Sequence, residues 1–180
     1  MANITTPVVV TSASKTTSGN AGRKLIKMSN GWWVLATHGT GVFVFVSKDE
    51  GKTWSQLFFM SGSFNSCAIA AKGNILYLAY GSSNAVFVYH CDVTTVTNTD
   101  HHSERDQSYG VSRVDEISIT TTGNVVFVGI SGLRNGNTSA NLSGVFATLD
   151  QAGTPAWSDL LNISIVAEPG SNFTGMSAAY

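Results

Sequence analysis

Few side chains in this sequence have the types and spacing that metal chemistry requires. His90, Cys91 and Asp92 are consecutive, but consecutive strand residues point to opposite faces and cannot converge on one ion. A second group, residues 101–106, is rich in histidine and charge. This second group is predicted to be a solvated loop after the second strand cluster, rather than a metal or catalytic centre. We therefore predict no metal site and no cofactor.

Carbohydrate recognition suits the remaining polar and aromatic residues better. Sugar sites commonly combine aromatic faces with planar polar side chains, and the candidates here are Trp33, Tyr80, Asn135 and Asn137. Tyr80 precedes a Gly-Ser-Ser-Asn turn, and the two asparagines lie in an Asn-rich loop. Packing is the alternative for the aromatic rings, because Trp33 follows another tryptophan and the two must face opposite sides of a strand.

The most specific local pattern is a polar turn that contains Ser47, Asp49, Gly51, Thr53 and Trp54. The Val- and Phe-rich run before it is typical of a strand. An Asp at the start of such a turn can accept hydrogen bonds from main-chain N–H groups, the two hydroxyls can add similar bonds, and the glycine can adopt a positive φ. A calcium loop would need more oxygen ligands at alternating positions. The pattern therefore predicts a hairpin that Asp49 closes and Trp54 covers.

These five residues fit S-x-D-x-G-x-T-W at every position. That pattern is the Asp box, or BNR repeat, and the chain resembles the sialidase-like β-propeller repeats that carry it. A degenerate copy occurs later, with Asp150 and Trp157 at the matching places. The resemblance implies a propeller in which the box is a folding element, remote from the catalytic centre.

The unit around the box recurs along the chain. Gly31, Gly73 and Gly123 each lie between two apolar strands, at intervals of about 40 to 50 residues, which is the length of a four-stranded propeller blade. The sequence thus predicts an all-β fold, a partial, sialidase-like β-propeller with about three four-stranded blades and the start of a fourth.

The predicted propeller is a single domain over residues 1–180, or the N-terminal fragment of one. Its blades are predicted at residues 23–60, 65–110 and 114–163, with residues 174–180 starting a fourth and residues 6–11 as a possible closing strand. Closed propellers need four to eight blades. Two interpretations follow: the chain continues into further blades, or identical chains complete one another as a homo-oligomer.

Composition restricts the partners. The chain has 10 Lys and Arg against 11 Asp and Glu, and 12% of its residues are charged, so no cluster of cations is available to neutralise nucleic-acid phosphates. No apolar run is long enough for a membrane span, and the N-terminus lacks the basic start and apolar core of a secretion signal. The low charge and abundant hydroxyls resemble virion components made in a host cytoplasm, and Asp-box propellers occur in phage tail and fibre proteins.

Two functions of different classes follow. For an exo-sialidase, the resemblance implies an arginine on an early innermost strand, and Arg23 stands about where it would fall, without the family's proline. No carboxylate lies between Arg23 and Asp49, and the pair of carboxyl groups that glycoside hydrolysis uses cannot be nominated. We therefore predict a non-enzymatic structural or receptor-binding module of a phage particle, with a host-surface glycan and other virion proteins as partners. The alternative is the N-terminal part of an exo-sialidase.

Overall fold

A computed structural model describes residues 23–82, 85–96, 113–122 and 125–132, together with the backbone of residues 15–16, 102–105, 111–112, 133–134 and 141–149. The strands are β1 (Lys15–Thr16), β2 (Leu25–Lys27), β3 (Trp33–Gly39), β4 (Gly41–Ser47), β5 (Ser55–Ser61), β6 (Ser66–Lys72), β7 (Ile75–Gly81), β8 (Val86–Asp92), β9 (His102–Arg105), β10 (Val111–Thr122), β11 (Val125–Arg134) and β12 (Asn141–Leu149). The described part of the chain contains no helix, and the predicted all-β class is confirmed.

The described strands form three antiparallel sheets, each of which follows the chain as a meander. Sheet one has the order β2-β3-β4-β5, with β1 beside β3 on the same edge as β2. Sheet two has the order β6-β7-β8-β9, and sheet three has the order β10-β11-β12. The first strands of the three sheets adjoin one another, since β6 contacts both β2 and β10. We call β2, β6 and β10 the inner strands.

The sheets stack face to face through alternating side chains of β6. Cys67 and Ile69 pack in a core cluster with Val34 of sheet one. Ala68 and Ala70 pack in a second cluster with Ile117 of sheet three. Because the side-chain period of a strand is two, one strand can supply both interfaces. Sheet two is therefore covered on both faces, and its hydrophobic residues form the centre of the described structure.

Two of the three repeated glycines occupy equivalent places. Gly31 has a φ of 86° in the turn from β2 to β3, and Gly73 has a φ of 63° in the turn from β6 to β7. This left-handed conformation is one that glycine adopts without the steric cost of a Cβ. The internal repeat thus has a structural counterpart in sheets one and two. Gly123 lies outside the described residues, as do residues 6–11 and 174–180.

The prediction of a loop over residues 101–106 is wrong in part. His102–Arg105 form β9, which pairs antiparallel with β8 from Tyr89↔His102 to Val86↔Arg105. The polar composition of this segment argued against a strand, but an outer strand needs only one hydrogen-bonded neighbour, and pairing overrides local propensity.

Candidate functional site

The turn between β4 and β5 is closed by side-chain hydrogen bonds. Asp49 Oδ1 accepts from the Thr53 backbone N–H at 2.8 Å, and Asp49 Oδ2 accepts from Thr53 Oγ1 at 2.6 Å. Ser47 Oγ donates to Asp49 Oδ1 and accepts from the Gly51 N–H, both at 2.8 Å. Trp54 Nε1 donates to the Gly51 carbonyl at 3.1 Å. The bonds from Thr53 and Ser47 lower the pKa of Asp49 to about 2, so this carboxylate is engaged in holding the turn.

A different set of polar residues gathers at the opposite end of the sheets, where the inner strands begin. We call it the polar cluster, and it consists of Lys24, His38, Asn65, Ser66, Cys67 and Glu116. The antiparallel order explains the separation: the Asp49 turn follows the end of β4, which pairs with the start of β3 at Ser47↔Trp33, whereas His38 lies near the other end of β3.

Lys24 connects sheet one to sheet two. Lys24 is only 9% exposed, and its Nζ donates a hydrogen bond to the backbone carbonyl of Cys67. Burial lowers the pKa of Lys24 below its usual value, while electrostatic interactions with the Cys67 thiol group and the Glu116 carboxylate oppose that shift. The ammonium group is thus directed across β6 toward sheet three, although lysine is among the residues least often buried.

Glu116 brings a carboxylate to the same place from sheet three. Its Oε2 atom is buried and has no hydrogen-bond partner among the described residues. The side chain emerges at a bulge, because the register between β10 and β11 shifts between Val114 and Glu116. Bulges commonly re-aim a side chain beside a binding or active site. A buried carboxylate oxygen without a partner has unused capacity to accept a hydrogen bond, which is unusual in a folded protein.

The side chains of His38 and Cys67 contact each other within the polar cluster. His38 is 4% exposed, and its Nδ1 lies 3.8 Å from Cys67 Sγ. Burial, together with the charge of Lys24, lowers the pKa of His38 to about 4. Burial raises the pKa of the Cys67 thiol to about 11. The imidazole is therefore neutral and the thiol protonated at pH 7, and this pair is a packing element rather than a reactive one.

The buried imidazole predicts a loss of stability in mild acid. The folded pKa of His38, about 4, lies below the unfolded value of about 6.5, so between these pH values the unfolded state binds the extra proton. Stability should therefore fall as the pH drops through this window, by about 2–3 kcal/mol. Urea denaturation at pH 7 and at pH 4.5 measures the fall. A His38→Gln variant should lose less stability than the wild type over the same interval, and an equal loss in both would contradict this assignment.

Of the sequence-predicted ligand residues, the structure places Arg23 and Tyr80 beside the polar cluster, Tyr80 as the register partner of Cys67, and Trp33 away from them. Arg23 is exposed two residues before β2, next to Lys24 of the polar cluster, and its carbonyl accepts a hydrogen bond from the Ile69 N–H at 2.8 Å. Trp33 lies at the other end of β3, with Lys27 Nζ 5.7 Å from its ring centroid. Tyr80 is 3% exposed and stacks on Phe87 with ring centroids 5.0 Å apart, so it presents no face to solvent. Asn135, Asn137, Asp150 and Trp157 lie outside the described residues.

The fold is similar to that of solved glycosidases. The chain matches the α-L-arabinanase of Penicillium chrysogenum complexed with arabinobiose at a TM-score of 0.60 and 16% identity, over 84% of this chain and 51% of that one. It matches the GH93 α-L-arabinofuranosidase of Fusarium graminearum with arabinobiose at a TM-score of 0.53 and 13% identity, over 76% and 46%.

The chain is a partial β-propeller. The three sheets are its blades, and the chain spans about half the length of these two solved structures. At such identities the likeness concerns the fold alone. No protein-family model matches the chain, and no curated protein matches it significantly. Similarity to sialidases and to phage proteins therefore stays a prediction.

Sequence reasoning missed the two charged residues that meet on the inner strands. Lys24 adjoins Arg23, the arginine that the sialidase resemblance favours, and Glu116 adjoins Asp115 in a strand that also contains Arg113. Charged residues within these strand patterns were the available signal. Within the part of the chain that the structure describes, no group of three His, Cys, Asp or Glu could hold a metal ion. No helix there is long and apolar enough to cross a membrane.

Proposed function

We propose that this propeller binds a carbohydrate at the polar cluster. The observation that supports the proposal is the meeting of three inner-strand groups from three consecutive blades: the Lys24 ammonium, the Cys67 carbonyl and the Glu116 carboxylate. Sugar hydroxyls both donate and accept hydrogen bonds, so an unpartnered carboxylate oxygen beside an ammonium is a suitable receptor for them. Hydrogen bonds to ionised groups are about twice as strong as neutral ones.

The likeness in fold gives the class of ligand to test first. Both similar solved structures contain arabinobiose, a disaccharide. A neutral oligosaccharide also fits a site in which one cation and one anion lie together, since the two charges offset each other. We therefore expect neutral oligosaccharides to bind more tightly than acidic ones, and sialosides serve as the acidic ligands for comparison.

Replacing Glu116 by glutamine should weaken sugar binding at least about tenfold, because a hydrogen bond to a charged group is worth about 1.5–3 kcal/mol. Isothermal titration with arabinobiose, preceded by a glycan array, measures the effect. Glu50→Gln is the matched control: it makes the same change on the exposed Asp49 turn, and binding should stay at the wild-type level. A blank array at high protein concentration, or equal binding by the Glu116→Gln variant, would refute the proposal.

Glycoside hydrolysis is the second candidate, and the Glu116 carboxylate is the observation that favours it. Hydrolysis uses two carboxyl groups on opposite sides of the scissile bond. Among side chains that the structure describes at this end, the other carboxylate is Asp115, which is exposed and paired with Arg113 at 2.6 and 2.9 Å. Because Asp115 is held in this ion pair, we propose that the protein binds a carbohydrate and does not hydrolyse it.

An assay with fluorogenic arabinosides and sialosides separates the two candidates. We expect no release of the fluorophore from either substrate class. Release that Glu116→Gln abolishes would favour a glycosidase of the arabinan-degrading kind. Release from a sialoside that Arg23→Ala abolishes would favour the exo-sialidase alternative.

We further propose that the protein belongs to a phage particle and recognises a host-surface glycan. The low charge and hydroxyl-rich composition support it. Other virion proteins, and either a second copy or a continuation of this chain, are the proposed partners. Attachment of the protein to bacterial cells that a soluble glycan competes away is the expected result, and no attachment to any bacterial surface would count against it.

A further inference from the structure

We infer that Ser66, on the inner strand of blade two, is a positioning residue for Glu116 of blade three. This inference rests on the proposed function, because it concerns how the binding carboxylate is held. Ser66 itself faces the neighbouring blade and is 3% exposed, so it acts through the backbone of β10 rather than on a ligand.

The backbone around Glu116 is irregular and needs support from outside its own sheet. Val114 pairs with Gly132, while Glu116 pairs with Ser131, so Asp115 is the extra residue of the bulge. The bulge allows Val114 and Ile117, three positions apart, to pack in the same core cluster. Backbone groups at a bulge lose part of the regular ladder, and their orientation then depends on other hydrogen bonds.

Blade two supplies those hydrogen bonds on both sides of Glu116. On the C-terminal side, the Ile117 N–H donates to Ser66 Oγ at 3.2 Å. On the N-terminal side, Asn65 Nδ2 donates to the Val114 carbonyl at 3.1 Å. Both bonds come from consecutive residues of one chain segment, so rotation of the Asp115–Glu116 segment would have to break at least one of them.

The same segment also holds Lys24, whose charge interacts with that of Glu116. The residue after Ser66 is Cys67, whose carbonyl accepts the hydrogen bond from Lys24. Ser66 and Cys67 together therefore fix the carboxylate and the ammonium relative to each other, although these charges belong to blades one and three. Ser66 is the more informative member to change, because its contact is made by a side chain.

The test compares Ser66→Val with Ser66→Thr. Valine and threonine are both β-branched and nearly equal in size, but only threonine keeps the hydroxyl that accepts the hydrogen bond from the Ile117 N–H. Ser66→Val should weaken arabinobiose binding about threefold to tenfold, the effect of one lost hydrogen bond, and Ser66→Thr should bind like the wild type. In the Glu116→Gln background, Ser66→Val should change binding less than about twofold, because two residues that act through each other are not additive.

A merely structural role for Ser66 would give the same loss in both backgrounds, and that result would overturn the inference. The ¹³C signal of the Glu116 carboxyl in the unliganded protein gives a second readout: it should move in Ser66→Val and stay in place in Ser66→Thr. If the Glu116→Gln variant binds arabinobiose like the wild type, or if neither protein binds a glycan, the proposed function is wrong. The ¹³C signal of the Glu116 carboxyl still decides whether Ser66 positions this side chain.

Ser66→Val could fail to fold, since it leaves a buried N–H unpaired. In that case Asn65→Leu replaces it, because Asn65 is exposed and its change removes only the bond to the Val114 carbonyl. The expected loss of binding is about threefold when Glu116 is present, and again less than about twofold with Glu116→Gln. Equal losses in the two backgrounds would overturn the inference here too.

Discussion

Replacing Gly132 by alanine is expected to destabilise the protein by about 3 kcal/mol or more, at or beyond the upper end of the range for overpacked sites. A Cβ at this position would overlap the backbone carbonyl of Arg113 and lie 3.1 Å from Val114 Cα. The atoms in the way belong to the backbone, so a side-chain rotation cannot relieve the overlap. Gly132 also pairs with Val114 at the bulge, and the change should therefore disturb Glu116 and sugar binding together.

Denaturant unfolding of the Gly132→Ala variant measures this loss, and Gly73→Ala is the matched control. A Cβ added at Gly73 would meet no atom within 4 Å, but the φ of this residue is +63°. The control should therefore lose only about 1 kcal/mol, the cost of forcing a residue with a side chain into the left-handed region. Equal losses in the two variants would show that contact with Arg113 is not what makes Gly132 necessary.

Replacing Leu78 by alanine is expected to destabilise the protein by about 2–5 kcal/mol. Leu78 is completely buried on the face of blade two that packs against blade one, and its register partners are Ile69 and Tyr89. The loss combines the transfer of apolar surface with the cavity left between two stacked sheets, neither of which can collapse freely because both are held by their own ladders.

Thermal and urea unfolding of Leu78→Ala measure this second effect, with Leu25→Ala as the matched control. Leu25 undergoes the same chemical change but is 46% exposed, so its loss should stay below about 1 kcal/mol. If Leu78→Ala proves as mild as Leu25→Ala, the interface between blades one and two contributes little to stability. The stacking of the sheets would then need another explanation.

The two effects arise at neighbouring places in the stack of blades. Leu78 lies on the face of blade two toward blade one. Gly132 lies inside blade three, beside Val114, which packs in a core cluster with residues of blade two. The polar cluster lies across these contacts, because Lys24, Cys67 and Glu116 each come from a different blade. Stability of the stack and geometry of the candidate site are therefore linked.

Local patterns in the sequence were sufficient for most strands of this fold, β9 being an exception. The alternation of apolar residues indicated the strands, and the glycines Gly31 and Gly73 marked equivalent turns because only a positive φ closes them cheaply. The Asp49 turn could also be worked out from its residues, since all of its hydrogen bonds join residues at most four positions apart. Short-range bonds of this kind leave a signature in consecutive letters.

The polar cluster left no such signature. Lys24 and Cys67 are 43 positions apart, and Ser66 and Ile117 are 51 apart, so their contacts depend on how whole blades stack. The strand β9 is similar, because its polar sequence becomes a strand only beside β8. By itself the sequence determined the repeated sheet and its turns, where the deciding interactions are local. Only the tertiary structure decided which charges meet on the inner strands, because burial and long-range pairing exist only after the sheets have packed.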